Sequence, residues 1–340
     1  MLESLPEHRR TRVQTTAEVL EQLDTRLKSH EETDVRSVPT GFDVLDDILG
    51  GGLHPGELLL LGGPPGVGKT IAALQWARQL ARRGETALFV CYEHEPTTLL
   101  VRLLGLEIGE GGGDEKLAQG LTALLAEGDA TGRGLDELLR DHPSGSQALE
   151  RLRSYADRLV MVRASGAHTT LEQIDELMRE HSAAGTTSVL FLDYLQKIPM
   201  QPEPAEEAEK VTRTVEGLKD LALEHHMPVV LLSAVDSEGM RASRLRLFHL
   251  RGSSAIAFES DVVVMMNSKE KAVAKVHLTY DPVRARDFRN WVVFSIEKNR
   301  GGPNLLDLEY DKDFAHFRFD PDGGIVSEKL VDERIDETAT

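Results

Sequence analysis

Residues 57–70 read Glu57-Leu-Leu-Leu-Leu-Gly-Gly63-Pro64-Pro65-Gly66-Val67-Gly68-Lys69-Thr70, and this stretch decides the fold. The four leucines are a short apolar run of the kind that forms a buried parallel strand. After Thr70, Ile71, Leu74, Ala77 and Ala81 recur at helical spacing, with Arg82 and Arg83 in the last turn and Gly84 as a C-terminal cap. A strand, then Gly63-x-x-x-x-Gly68-Lys69-Thr70, then a helix is an arrangement in which backbone N–H groups wrap phosphates. Glycines are required because the loop approaches phosphate closely and adopts positive φ. Lys69 is expected at the β- and γ-phosphates and the Thr70 hydroxyl on Mg²⁺. The pattern therefore implies ATP and Mg²⁺ as cofactors.

Working outward, Mg²⁺ held through water needs a second carboxylate. Val189-Leu-Phe-Leu-Asp193 supplies an apolar strand that ends in an acid, so Asp193 is the candidate. Hydrolysis needs a group to orient or deprotonate water. Glu93 follows the strand Thr86–Cys91, at the carboxyl edge where open α/β sheets keep their chemistry. Glu95-Pro96 opens the next helix, so spacing alone fits Glu93 equally well as a helix-capping acid.

Further strands are predicted at Leu159–Val162, Ser188–Leu192, Pro228–Leu232, Asp261–Met266, Val273–Thr279, Trp291–Glu297, Leu305–Glu309 and His316–Phe319. Helices alternate with the earlier ones, which predicts a largely parallel sheet covered on both faces. The later, helix-poor strands predict an antiparallel extension. A helix from about His8 to Lys28 carries Val13, Ala17, Leu20 and Leu27 on one face. That stripe needs a partner, either its own body or a neighbouring subunit. The expected organisation is an N-terminal helix and linker over 1–34, an ATPase domain over 35–320 and an acidic, mobile tail over 321–340.

The 340 residues are 40% hydrophobic and 28% charged, ordinary values for a soluble globular chain. The longest apolar runs are too short to span a bilayer, and Met1–Arg10 lacks an apolar signal region. A single cysteine, Cys91, excludes an internal disulfide and suits a reducing cytoplasm. The net charge of −18 argues against generic nucleic-acid affinity, although a ring can be acidic outside and basic in its channel. His94 and the pair His225-His226 lack ligand-rich spacing, and no transition-metal site is expected there.

Six segments in order resemble the ATPase domain of the DnaB-type replicative helicases, a RecA-like fold. They are Pro39-Thr-Gly-Phe-Asp-Val-Leu-Asp46, the loop 63–70, Glu93, Leu192-Asp-Tyr-Leu-Gln196, His249-Leu-Arg-Gly-Ser-Ser-Ala-Ile256 with Asp261, and Glu297-Lys-Asn-Arg-Gly-Gly-Pro303. Gly50-Gly-Gly-Leu-His-Pro-Gly56 is similar to the RadA and KaiC relatives of the same superfamily. The resemblance implies a ring, hexameric in form, with active sites between subunits, that moves along or unwinds DNA by binding single strands in its channel. It makes Glu93 the catalytic base and brings Lys298 and Arg300 into the neighbour's site, as an arginine finger acts in trans. It also docks the N-terminal helix on an adjacent protomer. Channel-facing loops contact DNA in this family, and Asp236–Arg251 carries Arg241, Arg244, Arg246 and Arg251. An ordinary solvated basic loop has the same composition.

Several features depart from that pattern. The other channel segment, Lys197–Lys210, contains Glu203, Glu206, Glu207 and Glu209. Ser233-Ala234 stands where these helicases place a Gln that links the γ-phosphate to the DNA loops. No separate N-terminal domain precedes the match, so a complete replicative helicase is not expected. Together these keep open an alternative, a nucleotide-switched regulatory or assembly ATPase that kept the ring but lost helicase coupling. A RadA- or KaiC-like role in repair or signalling rests on residues 50–56. A loader or regulatory protein is a further expected partner.

Overall fold

Leu58–Gly62 forms strand β1, and its side chains alternate between two separate cores. Leu59 and Leu61 enter one apolar cluster, Leu58 and Leu60 the other. The same period of two splits β2 (Thr86–Cys91), β4 (Ser188–Asp193), β5 (Val229–Ser233) and β6 (Val262–Ser268). A strand buried on both faces must be apolar at every position, which is why these segments read as unbroken runs of Leu, Val and Phe. The computed structural model describes residues 13–29, 36–182, 187–252, 254–274, 276–277 and 282–331.

Helices α1 to α11 run in chain order: α1 (Thr16–Ser29), α2 (Asp43–Ile48), α3 (Lys69–Arg82), α4 (Pro96–Glu110), α5 (Glu115–Thr131), α6 (Leu135–Leu139), α7 (Pro143–Arg153), α8 (Leu171–Glu180), α9 (Glu207–His225), α10 (Ala255–Glu259) and α11 (Lys269–Ala272). Helices α3, α4, α5 and α7 cover one face of the sheet, and α8 and α9 the other. The sheet continues through β3 (Leu159–Arg163), β7 (Trp291–Asn299), β8 (Leu306–Asp313), β9 (Arg318–Phe319) and β10 (Gly324–Ile325). Its order is β10-β8-β7-β6-β1-β5-β4-β2-β3, with β9 paired to β8. The six strands from β6 to β3 are parallel. β7, β8, β9 and β10 are antiparallel, as the helix-poor pattern predicts.

The structure departs from two expectations and bears on a third. The described residues of Val273–Thr279 form no strand: Val273 follows α11 and makes one bridge to Leu330, 276–277 are helical, and 275 and 278–279 lie outside the described residues. Val273 is apolar because it packs with Ala272, Phe288, Val293 and Leu330 in a small third cluster. Residues 321–331, expected in a mobile tail, are part of the fold. β10 pairs with β8, and Glu328 forms a buried ion pair with Lys269 at 2.9 Å; residues 332–340 lie outside the described set. Finally, α1 buries no residue, and Val19, Leu20, Leu23 and Leu27 are exposed. Its expected start near His8 and the linker 30–34 lie outside the described residues. No helix among the described residues is long and apolar enough to cross a membrane.

Candidate active site

The carboxyl ends of β1, β2, β4 and β5 converge, so the loops that leave them share one cleft. The loop 63–70 leaves β1 and enters α3, with Gly66 at φ +78° and Gly68 at φ +106°. At Gly66 nothing lies near a Cβ, so the backbone conformation alone requires glycine. At Gly68 a Cβ would come within 2.6 Å of Phe319 and 2.8 Å of Phe314, so close packing demands it too. Gly66, Gly68, Lys69 and Thr70 line a cavity of about 380 Å³. Lys69 Nζ donates to the carbonyls of Gly63 (2.7 Å) and Pro64 (3.1 Å). Burial lowers its pKa, against the opposing pull of Asp193 and Glu93.

Asp193 ends β4 beneath this loop, and its Oδ2 accepts a hydrogen bond from Thr70 Oγ1 at 2.7 Å. The carboxylate is 2% exposed, and burial pushes its pKa up to about 6. The Thr70 hydrogen bond opposes that rise and the charge of Glu93 adds to it. A hydroxyl and a carboxylate side by side, with no softer donor closer, suit a hard divalent cation such as Mg²⁺. The Cys91 thiol lies 3.9 Å from the same Oδ2 and is buried. Burial and then Asp193 raise its pKa to about 11, so it remains a thiol.

Glu93 is exposed and lines the same cavity. The chain thus brings the loop 63–70, Glu93 and Asp193 together as expected. Three features of the cleft were not legible in sequence. Arg102, which belongs to no recognisable motif, faces the cavity from α4. Burial lowers its pKa while Asp193, Cys91 and Glu93 pull it back up. Phe314 and Phe317 reach the cavity from the turn after β8. No local signal marks Arg102, and the two phenylalanines come from a distant part of the chain.

Lys298 and Arg300 do not join this cavity. β7 runs antiparallel to β6, so its end lies at the sheet edge opposite the loop 63–70. Lys298 Nζ donates to the carbonyls of Ala257 (2.7 Å) and Phe258 (3.2 Å), at the C-terminus of α10. Arg300 pairs with Asp261 at 3.1 Å and also donates to the Phe258 carbonyl, yet its side chain is 51% exposed.

The four arginines of the 236–251 loop separate into two kinds. Arg244, 9% exposed, donates to both oxygens of Asp307 on β8. Arg246 pairs with the buried Glu297 at 2.9 Å. These two are internal anchors and do not present a basic surface, contrary to the expectation for them. A cation next to a partner of opposite charge is drawn into the fold, and loop composition cannot show where that partner lies. Arg241 is exposed, and Arg251 pairs with Glu207 at 2.9 Å with both side chains about half-exposed.

Asp175, Glu224 and His225 come within 4.8 Å of one another, a grouping hidden in sequence because Asp175 belongs to α8. His225 and Arg179 each hydrogen-bond an oxygen of Asp175, at 2.8 and 2.7 Å.

A parallel sheet with a glycine-rich loop between β1 and α3, an acid at the end of β4 and an antiparallel extension defines a RecA-like P-loop protein. The DnaB-like helicase C-terminal domain model matches residues 131–319, and the chain belongs to that family. A KaiC model matches residues 38–197, which include the P-loop.

Two similar relatives are the replicative DNA helicases DnaB of Treponema pallidum (strain Nichols) and Rickettsia felis. The first is 27% identical over 300 residues, 87% of this chain and 58% of the relative. The second is 27% identical over 338 residues, 93% and 63% respectively. The chain thus spans about 60% of the length of these relatives. The DNA repair protein RadA of Mycobacterium tuberculosis is 45% identical over 67 residues, 20% of this chain and 14% of RadA. Among solved structures, an isolated ATPase domain superposes with a TM-score of 0.69 at 19% identity, covering 91% of this chain and 99% of that one. A DnaB-like replicative helicase, described with its primase interactions, superposes with a TM-score of 0.68 at 20% identity, covering 90% and 68%.

Proposed function

We propose that this chain is a Mg²⁺-dependent ATP hydrolase of the DnaB class, which assembles as a ring and uses turnover to move along single-stranded DNA. The observation that carries the reading is the Thr70–Asp193 pair beneath a glycine-rich loop, with Glu93 facing the same cavity. In that reading ATP supplies the phosphoryl group and Mg²⁺ the charge that screens it. The backbone of Gly63, Pro64, Pro65, Gly66, Val67 and Gly68 holds the phosphates, and Lys69 turns its ammonium from the loop carbonyls to their charge. Thr70 and Asp193 hold the metal. Glu93 accepts the proton of the attacking water, and Arg102 adds a cation to the same cavity.

Lys298 and Arg300 complete a neighbour's site. Their position at the far sheet edge supports this reading, because one protomer cannot bring them to its own P-loop. The exposed apolar side of α1 supports assembly in the same way: four large side chains in water call for a covering surface. The ring is expected to be a hexamer working in the cytoplasm, with a loader, primase or regulatory protein as further partner. Arg241 and Arg251 are the proposed contacts to the DNA backbone, with Arg244 and Arg246 shaping the loop that carries them.

The test is ATP turnover with and without single-stranded DNA at low salt, where electrostatic binding is strongest, alongside particle mass with ATP. Stimulation by DNA in a ring-sized particle is the expected result. Turnover without stimulation sinks translocation and leaves the nucleotide-switched regulatory ATPase. Absence of turnover removes both.

A further inference from the structure

We infer that Gln196 is the positioning residue through which the nucleotide cavity sets the loop 236–251. The inference rests on the nucleotide reading of that cavity.

Asp193 and Tyr194 line the cavity, and residues Leu195–Lys197 follow them in a single 3-10 turn. Leu195 and Ile198 are buried, at 1% and 0% exposure, so the turn is packed against the core and moves with the end of β4. Gln196 projects from this turn and spends all its hydrogen-bonding groups on the next strand and loop. Its Oε1 accepts from the Ala234 N–H at 3.2 Å. Its Nε2 donates to Ser233 Oγ at 3.0 Å and to the Arg251 carbonyl at 2.8 Å. Reversing the amide would set its NH₂ against an N–H and its oxygen against a carbonyl, so the network determines the orientation.

Ala234 is the second half of the link. It lines the cavity, yet its methyl group can make no polar contact. Its polar groups are the backbone N–H, held by Gln196, and the carbonyl, which accepts from Arg251 N at 3.0 Å. Val235 and Leu250 then form a bridge, and Asp236 N donates to the His249 carbonyl at 2.9 Å. These contacts make a neck at the base of residues 236–249, which Arg244 and Arg246 hold farther out against β8 and β7. Arg251 continues outward to Glu207, the first residue of α9. A shift at Asp193 or Tyr194 therefore reaches both ends of the neck through one amide.

Hydrogen exchange of the full chain, with and without a non-hydrolysable ATP analogue and Mg²⁺, tests this. In the native protein the analogue is expected to slow exchange at 63–70 and to change exchange at 236–251. Gln196→Ala is expected to keep the first response and lose the second. Gln196→Glu retains the acceptor for the Ala234 N–H but sets a carboxylate against the Arg251 carbonyl. It is expected to lose the loop response as well, and it keeps the test decisive if Gln196→Ala fails to fold. Protection at 63–70 with no change at 236–251 in the native chain overturns the inference alone. So does a loop response of native size in either variant. No protection at 63–70 overturns the nucleotide reading, and the inference with it.

Discussion

Arg244 Nη2 donates to both carboxylate oxygens of Asp307, at 2.8 and 2.7 Å, and so fastens the 236–251 loop to β8. Removing one member of a shielded pair leaves the other charge without compensation, which costs about 3 kcal/mol. Arg244→Ala is expected to lower the denaturant midpoint accordingly. Arg241→Ala, on the exposed part of the loop, is expected to stay within about 0.5 kcal/mol of the native chain. If Arg241 contacts DNA, its loss weakens binding most at low salt while stability holds. Equal destabilisation by both changes would refute the division between anchor and surface residue.

Glu93 faces the cavity without belonging to the Thr70–Asp193 pair. Glu93→Gln is expected to keep ATP binding and lose about 10²- to 10⁴-fold in turnover, the usual share of a general base. Asp193→Asn is expected to retain the Thr70 contact but to lose the gain in ATP affinity that Mg²⁺ provides. Calorimetric titrations with and without Mg²⁺ check it. Native turnover by the Glu93 variant would eliminate that residue as the base.

Arg300 is half-exposed at the sheet edge opposite the P-loop. Arg300→Ala is expected to reduce turnover by about 10³-fold or more, as loss of a finger does, with ATP affinity little changed. Mixed with Lys69→Ala subunits, it should regain activity. An interface that pairs an intact Lys69 with a neighbour's intact Arg300 then exists again. Co-assembled but inactive mixtures would exclude the shared site.

Glu107 is fully buried on α4, where Arg78 donates at 2.6 and 2.9 Å, Arg151 at 3.2 Å and the Tyr155 hydroxyl at 2.8 Å. Burial alone would raise its pKa, but Arg78, Tyr155 and Arg82 together outweigh that and hold it below the ordinary 4.5. A carboxylate with a depressed pKa contributes stability that is present above its unfolded value and lost as pH falls through the folded one. Glu107→Gln is therefore expected to cost about 3–5 kcal/mol at pH 7. The gap to the native protein should narrow as pH falls below about 4.5, where the unfolded carboxylate takes up a proton that the folded one still refuses. Unfolding curves from pH 3 to 7 measure this, and a gap that widens in acid would contradict the assignment.

Local pattern carried most of the fold and half of the cleft. The strands β1, β2, β4, β5 and β6 announced themselves because burial on both faces leaves no room for a polar residue. Residues 63–70 did so because glycine at positive φ is a backbone requirement met within eight consecutive positions. Val273 misled because an apolar residue in a small satellite cluster reads like a strand residue. Arg102, Phe314 and Phe317 were invisible because nothing local sends them toward the P-loop.

The sequence by itself determined the phosphate loop, the acid at the end of β4 and the parallel character of the core, since each is read from patterns local in the chain. Only the tertiary structure decided which charges are spent internally. Arg244 and Arg246 differ from Arg241 in nothing that the loop shows; the difference is Asp307 and Glu297, far downstream in the chain. Lys298 and Arg300 are likewise separated from their own P-loop by strand direction, a property of the assembled sheet. Long-range pairing is a choice made by packing, and a charged residue's partner is fixed only when the chain has closed around it.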